Sequence, residues 1–392
     1  MHTGGVSAYF SSSLIVRFCT DAPLFGLFIN TPGVAGNLVL VCDGKLVSAS
    51  PITTGVGKRT ISINFGTRKQ RDFTLYVQTG LFGGIVTSQI DMVSPGNNNS
   101  QLFIAGDGDS YMGIRGANAR AAIVGTICQK LNADFFIGGI GGTGFVITNG
   151  YTNAIQRISL MTGANEGKTN VIVISLGIND TAGTTFNDAV LAYFAALRSA
   201  LPDTLFIVTT SWITTDSNIS SYTSGKTAPI FSAVRSSGGK YILVDNINGT
   251  FETSWGTSGS IGGAWQTGYV PTGLITSMAR TANVSVITMD RAHGLATGIV
   301  GLYNAGTFTG TFYATTTSTT ITLSGNNGSN ETYATPELAS IGRVVSNGAG
   351  GYLPANSINY GSGDGTHYNS AGADYLSNRL WEAIKIAVAT YQ

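Results

Sequence analysis

Ser110 stands at a point of the chain where a side chain can be exposed for chemistry. The apolar run Leu102–Ala105 predicts a short buried strand, and Ser110 follows it within Gly106-Asp107-Gly108-Asp109-Ser110-Tyr111. Apolar residues then recur at helical spacing from Ala121 to Leu131. A hydroxyl at such a strand-to-helix turn is a candidate nucleophile, but it requires a base, an acid that orients the base, and an oxyanion hole.

Three histidines could supply the base. His2 lies at the start of the chain, and His293 lies among strand-like residues with Asp290 as the nearest carboxylate in sequence. His367 comes just before the last helical segment, three residues after Asp364. At that spacing a carboxylate can accept a hydrogen bond from the ring Nδ1–H, which fixes the tautomer and stabilises the imidazolium. The alternative for this pair is a turn aspartate and a surface histidine.

Two turns could complete an oxyanion hole with the backbone N–H of Ser110. One is the glycine-rich turn Gly138–Gly144, in which Gly142 or Gly141 can offer an unobstructed N–H. The other follows the next predicted strand and carries the side-chain amide of Asn179. Each fixed donor is typically worth about 2.7–4 kcal/mol in the transition state. An ordinary turn and a helix cap are the alternatives for the two segments.

The composition argues against several kinds of partner. The 392 residues carry a net charge of +1 and only 10% charged residues, so the clustered Lys and Arg of a protein that binds nucleic acid are absent. No apolar run reaches the ~18–20 residues that span a bilayer, so we expect no membrane insertion. The first residues also lack the basic and apolar regions of a signal peptide. No Cys/His spacing suggests a zinc site, and we expect neither a metal nor a cofactor. Cys19 and Cys42 lie in strand-like runs, and whether they pair stays open.

Three regions differ in their pattern of apolar residues. Residues 1–100 show short β runs with turns at nearly regular spacing, which predicts an N-terminal β-sandwich domain. Residues 101–277 and 346–392 alternate strands with helices, a pattern that predicts α/β structure with a parallel sheet covered on both sides. Residues 278–345 return to β patterns and predict a small inserted β module. Functional sites of parallel sheets form at the carboxyl ends of the strands, where Ser110 and Asn179 both lie.

The order of these segments resembles one hydrolase family. Gly-Asp-Ser at 108–110, the glycine-rich turn, Gly-x-Asn-Asp at 177–180 and Asp-x-x-His at 364–367 resemble the four blocks of the SGNH (GDSL-like) hydrolases. The resemblance covers roughly residues 101–270 and 345–392. It implies Ser110 as nucleophile, His367 as base and acid, Asp364 as its orienting partner, and Ser110, Gly142 and Asn179 as the oxyanion hole. Asp109 and Asp180 match positions that shape the turns. The chain departs from the pattern in a second Gly-Asp pair, Gly106-Asp107, which we expect to be harmless.

The resemblance also implies a fold and a substrate class. The family has a three-layer α/β/α sandwich with a five-stranded parallel sheet. A jelly-roll-like β-sandwich ahead of it resembles some carbohydrate acetyl esterases and phage-borne deacetylases, and so does the segment Trp265–Tyr269. The segment His293–Gly298 resembles small β modules of phage tail proteins. These similarities imply a serine esterase that removes O-acetyl groups from a polysaccharide and is carried on a phage tail, or is otherwise secreted.

Several side chains could contact such a substrate. Aromatic residues near the blocks could stack on sugar rings, and Arg115 could contact an acidic sugar. The aromatic candidates are Tyr111, Phe145, Trp212 and Trp265. Core packing, and for Arg115 a solvated surface position, are the alternatives.

Rival functions and further partners remain. A short-chain lipase or thioesterase of the same family is one rival, and an inactive tail adhesin that only binds carbohydrate is another. A tail protein would pair with two further copies in a homotrimer or attach to other tail proteins.

Overall fold

The computed structural model describes most of the chain. The described residues are 13–31, 35–78, 80–96, 102–112, 123–163, 168–210, 225–261, 275–293, 295, 297–303, 305–336, 339–346, 352–354 and 367–391. Over these ranges no helix is both long and apolar enough to cross a membrane. The three cysteines are free thiols.

The N-terminal region forms strands in two layers that share a core. The strands are β1 (Ser13–Thr20), β2 (Leu24–Thr31), β3 (Asn37–Cys42), β4 (Lys45–Leu46), β5 (Ile52–Thr53), β6 (Gly57–Asn64), β7 (Arg71–Gln78), β8 (Leu81–Val86) and β9 (Val93–Pro95). One layer is the small sheet β6-β2-β8, and the other contains β1, β7 and β3. Phe73 stacks on Phe18 at 5.0 Å and meets Phe25 edge-on at 5.1 Å between the layers. Such aromatic pairs bury large apolar areas, so they hold the two layers together.

The following region alternates strands and helices, as its sequence pattern predicts. Its elements are β10 (Phe103–Gly108), α1 (Ile123–Lys130), β11 (Asp134–Ile137), α2 (Ile158–Gly163), β12 (Val171–Ser175), α3 (Thr184–Ala200), β13 (Leu205–Thr209), α4 (Thr227–Ser237), β14 (Tyr241–Asp245), β15 (Thr250–Thr253), β16 (Ser258–Ser260) and α5 (Ser370–Ala389). Five neighbouring strands, β11-β10-β12-β13-β14, run parallel. Every residue of β10 and β12 is buried, as expected for strands covered on both faces.

These parallel strands are the centre of a larger mixed sheet. β1 pairs antiparallel with β11, with Ser13 opposite Ile137 and Leu14 opposite Phe136. The sheet therefore continues from the α/β region into β1, β7 and β3, and it has 13 strands in all. The five parallel strands expected from the sequence are thus extended by antiparallel strands at both edges. Without β1, β11 would present an open edge of unpaired backbone groups, so the N-terminal strands cover it.

The inserted module has a sheet and a core of its own. Its strands are β17 (Ile275–Thr281), β18 (Val284–Met289), β19 (Gly298–Tyr303), β20 (Gly310–Thr316), β21 (Thr320–Ser324), β22 (Glu331–Thr332), β23 (Ser340–Ser346) and β24 (Tyr352–Pro354). They form one eight-stranded sheet that is separate from the 13-stranded one. Its first described strand starts three residues before the predicted boundary at 278, and its last reaches Pro354.

Candidate active site

Ser110 lies in the turn directly after β10. The Asp109 carboxylate accepts a hydrogen bond from Tyr111 N–H at 2.9 Å, which closes the turn around the serine. Gly108 comes close to the neighbouring strand β12, because a Cβ atom placed on it would lie 2.5 Å from Ser175 O. Glycine therefore lets the nucleophile strand approach β12 closely at the carboxyl end of the sheet, where functional groups of parallel sheets converge.

His367 contacts the serine from the far end of the chain. His367 Nε2 lies 2.9 Å from Ser110 Oγ, across 257 residues of sequence. The next residue, Tyr368, is buried and donates its hydroxyl to Tyr111 O at 3.0 Å. Asn369 then caps helix α5 by accepting from Gly372 N–H at 2.8 Å. The cap and the tyrosine contact together hold the histidine next to the Ser110 turn.

The glycine-rich turn lies beside the same serine, and Asn179 is hydrogen-bonded to that turn. A Cβ atom placed on Gly141 would be 3.6 Å from Ser110 Cβ, so this turn faces Ser110. The Asn179 side-chain amide donates from Nδ2 to Thr143 O at 2.8 Å, one residue after Gly142. In the described part of the chain, the backbone N–H groups of Ser110, Gly141 and Gly142 donate no hydrogen bond. These groups remain available to a ligand, as an oxyanion hole requires.

Asp180 fixes the shape of the glycine-rich turn. Its carboxylate accepts hydrogen bonds from the backbone N–H groups of Phe145, Val146 and Ile147 at 2.8, 3.0 and 3.0 Å. A Cβ atom placed on Gly144 would fall 2.2 Å from Asp180 Oδ2, so only glycine leaves room for the carboxylate. One carboxylate that accepts three backbone hydrogen bonds holds this turn rigidly, because charged acceptors make strong hydrogen bonds.

The second Gly-Asp pair is part of a buried ionic cluster. Asp107, at the end of β10, is fully buried and accepts from Arg157 Nε at 2.9 Å and from the Tyr193 hydroxyl at 2.8 Å. Arg157 is also fully buried and donates to Thr143 Oγ1 at 2.9 Å and to Gly108 O at 3.3 Å. The guanidinium therefore joins the nucleophile strand to the glycine-rich turn. Asp107 is a structural partner of the site, where the sequence suggested only a harmless duplication.

Burial also changes the ionisation of two groups under the site. Burial raises the pKa of the Asp109 carboxyl to about 7, although Tyr111 N–H and then Arg157 oppose the shift. Burial lowers the pKa of the Lys226 ammonium, which donates to Ile178 O at 3.2 Å, while Asp180 and Asp109 oppose that shift. Both groups contact the backbone of Ile178, next to Asn179, and in both burial disfavours the charged form.

Two of the predicted sugar-binding aromatics belong to the core. Tyr111 is 1% exposed, and its ring packs 5.2 Å from the ring of His367. Phe145 is 2% exposed and meets Tyr193 edge-on at 5.4 Å and Phe186 at 5.8 Å. Neither ring has a free face for a sugar, so the prediction for these two residues is corrected. Periodicity could not separate a buried aromatic from an exposed one in such short turns.

Other predicted residues lie elsewhere or outside the described ranges. Asp364, Arg115, Trp212 and Trp265 lie outside the described residues. His293, the alternative base, is buried in the inserted module, where its Nδ1 accepts from Leu295 N–H at 2.9 Å. It serves the local turn there and does not contact Ser110.

Two residues beside the site, Arg157 and Asn149, were not predicted from the sequence. Arg157 lies 50 residues from Asp107, and no local pattern links the two residues. Asn149 was also missed, although a Cβ atom placed on Gly142 would lie 2.3 Å from its Nδ2. The Asn-Gly pair at 149–150 signals a turn in sequence, and nothing in that signal places the turn beside the nucleophile. Among the described side chains, no group of three or more His, Cys, Asp or Glu could hold a metal ion.

Comparison with known proteins gives remote structural similarity only. No protein-family model matches the sequence. No curated protein sequence matches it either. Among solved structures, the chain is similar to a family two carbohydrate esterase from Clostridium thermocellum in complex with cellohexaose (TM-score 0.47, 16% identity, 61% of this chain and 83% of that one). It is similar to a carbohydrate esterase family 2 enzyme plus carbohydrate-binding domain from Corynascus thermopiles (Myceliophthora fergusii), with a TM-score of 0.44 and 20% identity over 59% of this chain and 83% of that one. It is also similar to the acetyl xylan esterase Est2A from Butyrivibrio proteoclasticus, with a TM-score of 0.44 and 13% identity over 61% of this chain and 84% of that one. At these identities and scores, the function of this chain has to be inferred from its own residues.

Proposed function

We propose that this protein is a serine esterase of the SGNH type that removes O-acetyl groups from a polysaccharide. The observation that supports this most is the 2.9 Å distance between Ser110 Oγ and His367 Nε2. A serine hydroxyl at hydrogen-bond distance from an imidazole is the arrangement that nucleophilic catalysis requires. The candidate oxyanion donors are the backbone N–H groups of Ser110 and Gly142 and the Asn179 amide, which is bonded to the glycine-rich turn.

Acylation would begin at the acetyl carbonyl. Ser110 Oγ attacks the carbonyl carbon while His367 Nε2 takes the hydroxyl proton, and Asp364 accepts from Nδ1–H. The negative charge that develops on the carbonyl oxygen is held by Ser110 N–H, Gly142 N–H and the Asn179 amide. When the tetrahedral intermediate collapses, the ester C–O bond breaks. The sugar oxygen then leaves with the proton from His367.

Deacylation would repeat the same steps with water. His367 takes a proton from a water molecule as its oxygen attacks the acetyl-enzyme, and the intermediate forms against the same donors. Its collapse releases acetate and returns the proton to Ser110 Oγ. In this scheme Ser110 and His367 take part in every proton transfer. We assign the orientation of the imidazole to Asp364.

We place this chemistry on a three-layer α/β/α hydrolase domain that follows a jelly-roll-like sandwich. The residues that match the family blocks support this assignment, together with the parallel strands around Ser110. The setting that we propose is a phage tail, because the inserted module resembles small β modules of tail proteins. Acetate release from a panel of acetylated bacterial and plant glycans tests that setting. Activity confined to plant glycans would contradict it.

The first experiment tests the nucleophile. Replacing Ser110 with Ala removes the attacking oxygen, so acetate release from p-nitrophenyl acetate should fall by at least about 10³-fold, while binding of an acetylated glycan persists. Ser94→Ala, at an exposed position on β9, is the matched control and should retain full activity. Persistent acetate release by the Ser110 variant would show that another group is the nucleophile.

The same assay separates the rival functions. A deacetylase should prefer p-nitrophenyl acetate to a long-chain p-nitrophenyl ester, because a short acyl group needs no extended apolar channel. Preference for the long chain would contradict the deacetylase. Glycan binding by wild-type protein without any ester hydrolysis would favour the adhesin.

A further inference from the structure

A loop with no assigned role lies against the glycine-rich turn. Residues 145–155, here called the Asn149 loop, leave that turn and return to it, because Gly144 N–H donates to Ile147 O at 2.8 Å and Gly144 O accepts from Ala154 N–H at 3.0 Å. The Asn149 side chain lies against Gly142, where a Cβ atom would be 2.3 Å from its Nδ2. The loop therefore begins one residue after Gly144 and reaches back to Gly142.

The loop is held firmly at its base. Asp180 accepts the backbone N–H groups of its first three residues. Arg157 Nη1 donates to Thr152 O at 2.8 Å from the buried cluster below. Within the loop, Tyr151 N–H donates to Thr148 O at 2.8 Å. A loop anchored in this way presents its outer side chains in fixed positions, and this lowers the entropic cost of binding a ligand.

The outer side chains of the loop are exposed and uncharged. Ile147, Tyr151 and Ile155 are 39%, 39% and 41% exposed. Asn149 is exposed, has a positive φ of 44°, and forms no hydrogen bond through its amide within the described structure. No charged residue occurs between Gly141 and Gln156. Tyrosine offers a rigid apolar ring with a polar edge, and a free amide offers both a donor and an acceptor.

We propose that the Asn149 loop is a sugar-binding subsite that holds a neutral sugar ring of the substrate beside the reacting ester. Tyr151 supplies the ring surface and Asn149 the hydrogen-bonding group, so both are specificity-determining residues. This inference rests on the proposed esterase function and deepens it by naming the wall that contacts the sugar. An acidic sugar is the weaker match, because this stretch offers no cation to pair with a carboxylate.

The residue types of the loop favour a sugar over a long acyl chain as the ligand. A long acyl chain requires a continuous apolar surface, whereas here the apolar residues alternate with Thr148, Asn149, Thr152 and Asn153. A sugar ring has apolar C–H faces and a rim of hydroxyls, and mixed aromatic and amide side chains match both parts. With Tyr111 and Phe145 buried, Tyr151 is the exposed aromatic of the loop whose Asn149 lies against Gly142.

The test compares two substrates of the same enzyme. Values of kcat/KM are measured on an acetylated neutral polysaccharide, with acetylated xylan as the probe, and on p-nitrophenyl acetate, which has no sugar. Tyr151→Ala should lower kcat/KM on the polysaccharide about tenfold more than on p-nitrophenyl acetate, mainly through KM. Tyr151→Phe keeps the ring and should restore most of the loss. Tyr391→Ala, at an exposed tyrosine at the other end of α5, about 30 Å from His367, is the control and should change neither value.

Each outcome decides a separate question. Equal losses on both substrates would show that Tyr151 only supports the fold of the turn, and no loss would show that it does not contact the sugar. Either result overturns the subsite and leaves the esterase in place. If wild-type protein hydrolyses p-nitrophenyl acetate but none of a panel of neutral acetylated glycans, both the substrate class and the subsite fail. If it hydrolyses no ester at all, the proposed function itself fails.

Discussion

Asp109 places a carboxyl group next to Ser110, the proposed nucleophile, and away from solvent. Its hydrogen bond from Tyr111 N–H shapes the turn, and Arg157 lies close enough to favour the charged form. Burial outweighs both effects and raises the pKa of this carboxyl to about 7. At neutral pH this carboxyl is therefore only partly ionised, which lessens the negative charge that it places near Ser110.

The raised pKa of Asp109 predicts a pH-dependent stability. Between its ordinary value of 3.8 and about 7, the folded protein binds a proton that the unfolded chain does not. The free energy of unfolding should therefore fall as the pH rises through this window and level off above it, by up to about 4 kcal/mol. Asp109→Asn removes this dependence, so the variant should gain stability relative to wild type from pH 4.5 to 7.5. Urea denaturation of both proteins across that range measures the difference. Parallel curves would contradict the shift.

At the scale of elements, the site is built where three segments meet. The turn after β10 carries Ser110, and the glycine-rich turn after β11 carries the backbone donors. The third segment is the start of α5, where His367 lies two residues before the N-cap Asn369. Arg157, which comes directly before α2, donates to the first two of these segments. A buried guanidinium is costly to leave without a counter-charge. Its pairing with Asp107 therefore helps to hold the Ser110 turn and the glycine-rich turn in their relative positions.

The buried ion pair between Asp107 and Arg157 should contribute more to stability than an exposed ion pair. Asp107→Asn keeps the shape of the side chain but leaves Arg157 with an uncompensated charge, so it should lower the free energy of unfolding by about 3–5 kcal/mol. Glu252→Gln breaks the exposed pair with Arg235 and serves as the matched control, with an expected loss of at most about 1 kcal/mol. Chemical denaturation of the two variants provides the comparison. Equal effects would show that Asp107 is as dispensable as a surface carboxylate.

Sequence predicts the elements better than the contacts between them. The polar–apolar alternation of Arg71–Val77 predicts a strand, and the apolar spacing from Phe186 to Ala200 predicts a helix. Strand β7 and helix α3 lie at these positions. The positions of Ser110 and Asn179 at strand ends follow from the same patterns. The partners of Asp107 and the burial of Tyr111 depend on packing between segments that are distant in sequence. No local periodicity encodes such packing, and it becomes visible only in the folded chain.

At the scale of the whole molecule, two regions share one sheet and the third does not. The strands β1, β3 and β7 bury one face against β2 and β6, and their other face places Val39 and Tyr76 in the core of the α/β region. Phe136 packs against both cores. The inserted module has a separate core that contains Ile321 and shares no residue with the other two. Shared strands couple folding, whereas a separate core permits independent unfolding.

Matched substitutions in the three cores test this coupling. Ile29, Ile172 and Ile321 are all 0% exposed, and each belongs to a different core. Ile→Val removes one methylene at each position and should cost about 0.5–1.5 kcal/mol without preventing folding. In calorimetry, Ile29→Val and Ile172→Val should lower the same thermal transition, because β1 and β11 join their regions in one sheet. Ile321→Val should lower a different transition. If Ile29→Val instead shifts a transition of its own, the N-terminal strands unfold independently, and their pairing with β11 contributes little to the stability of the sheet that carries Ser110.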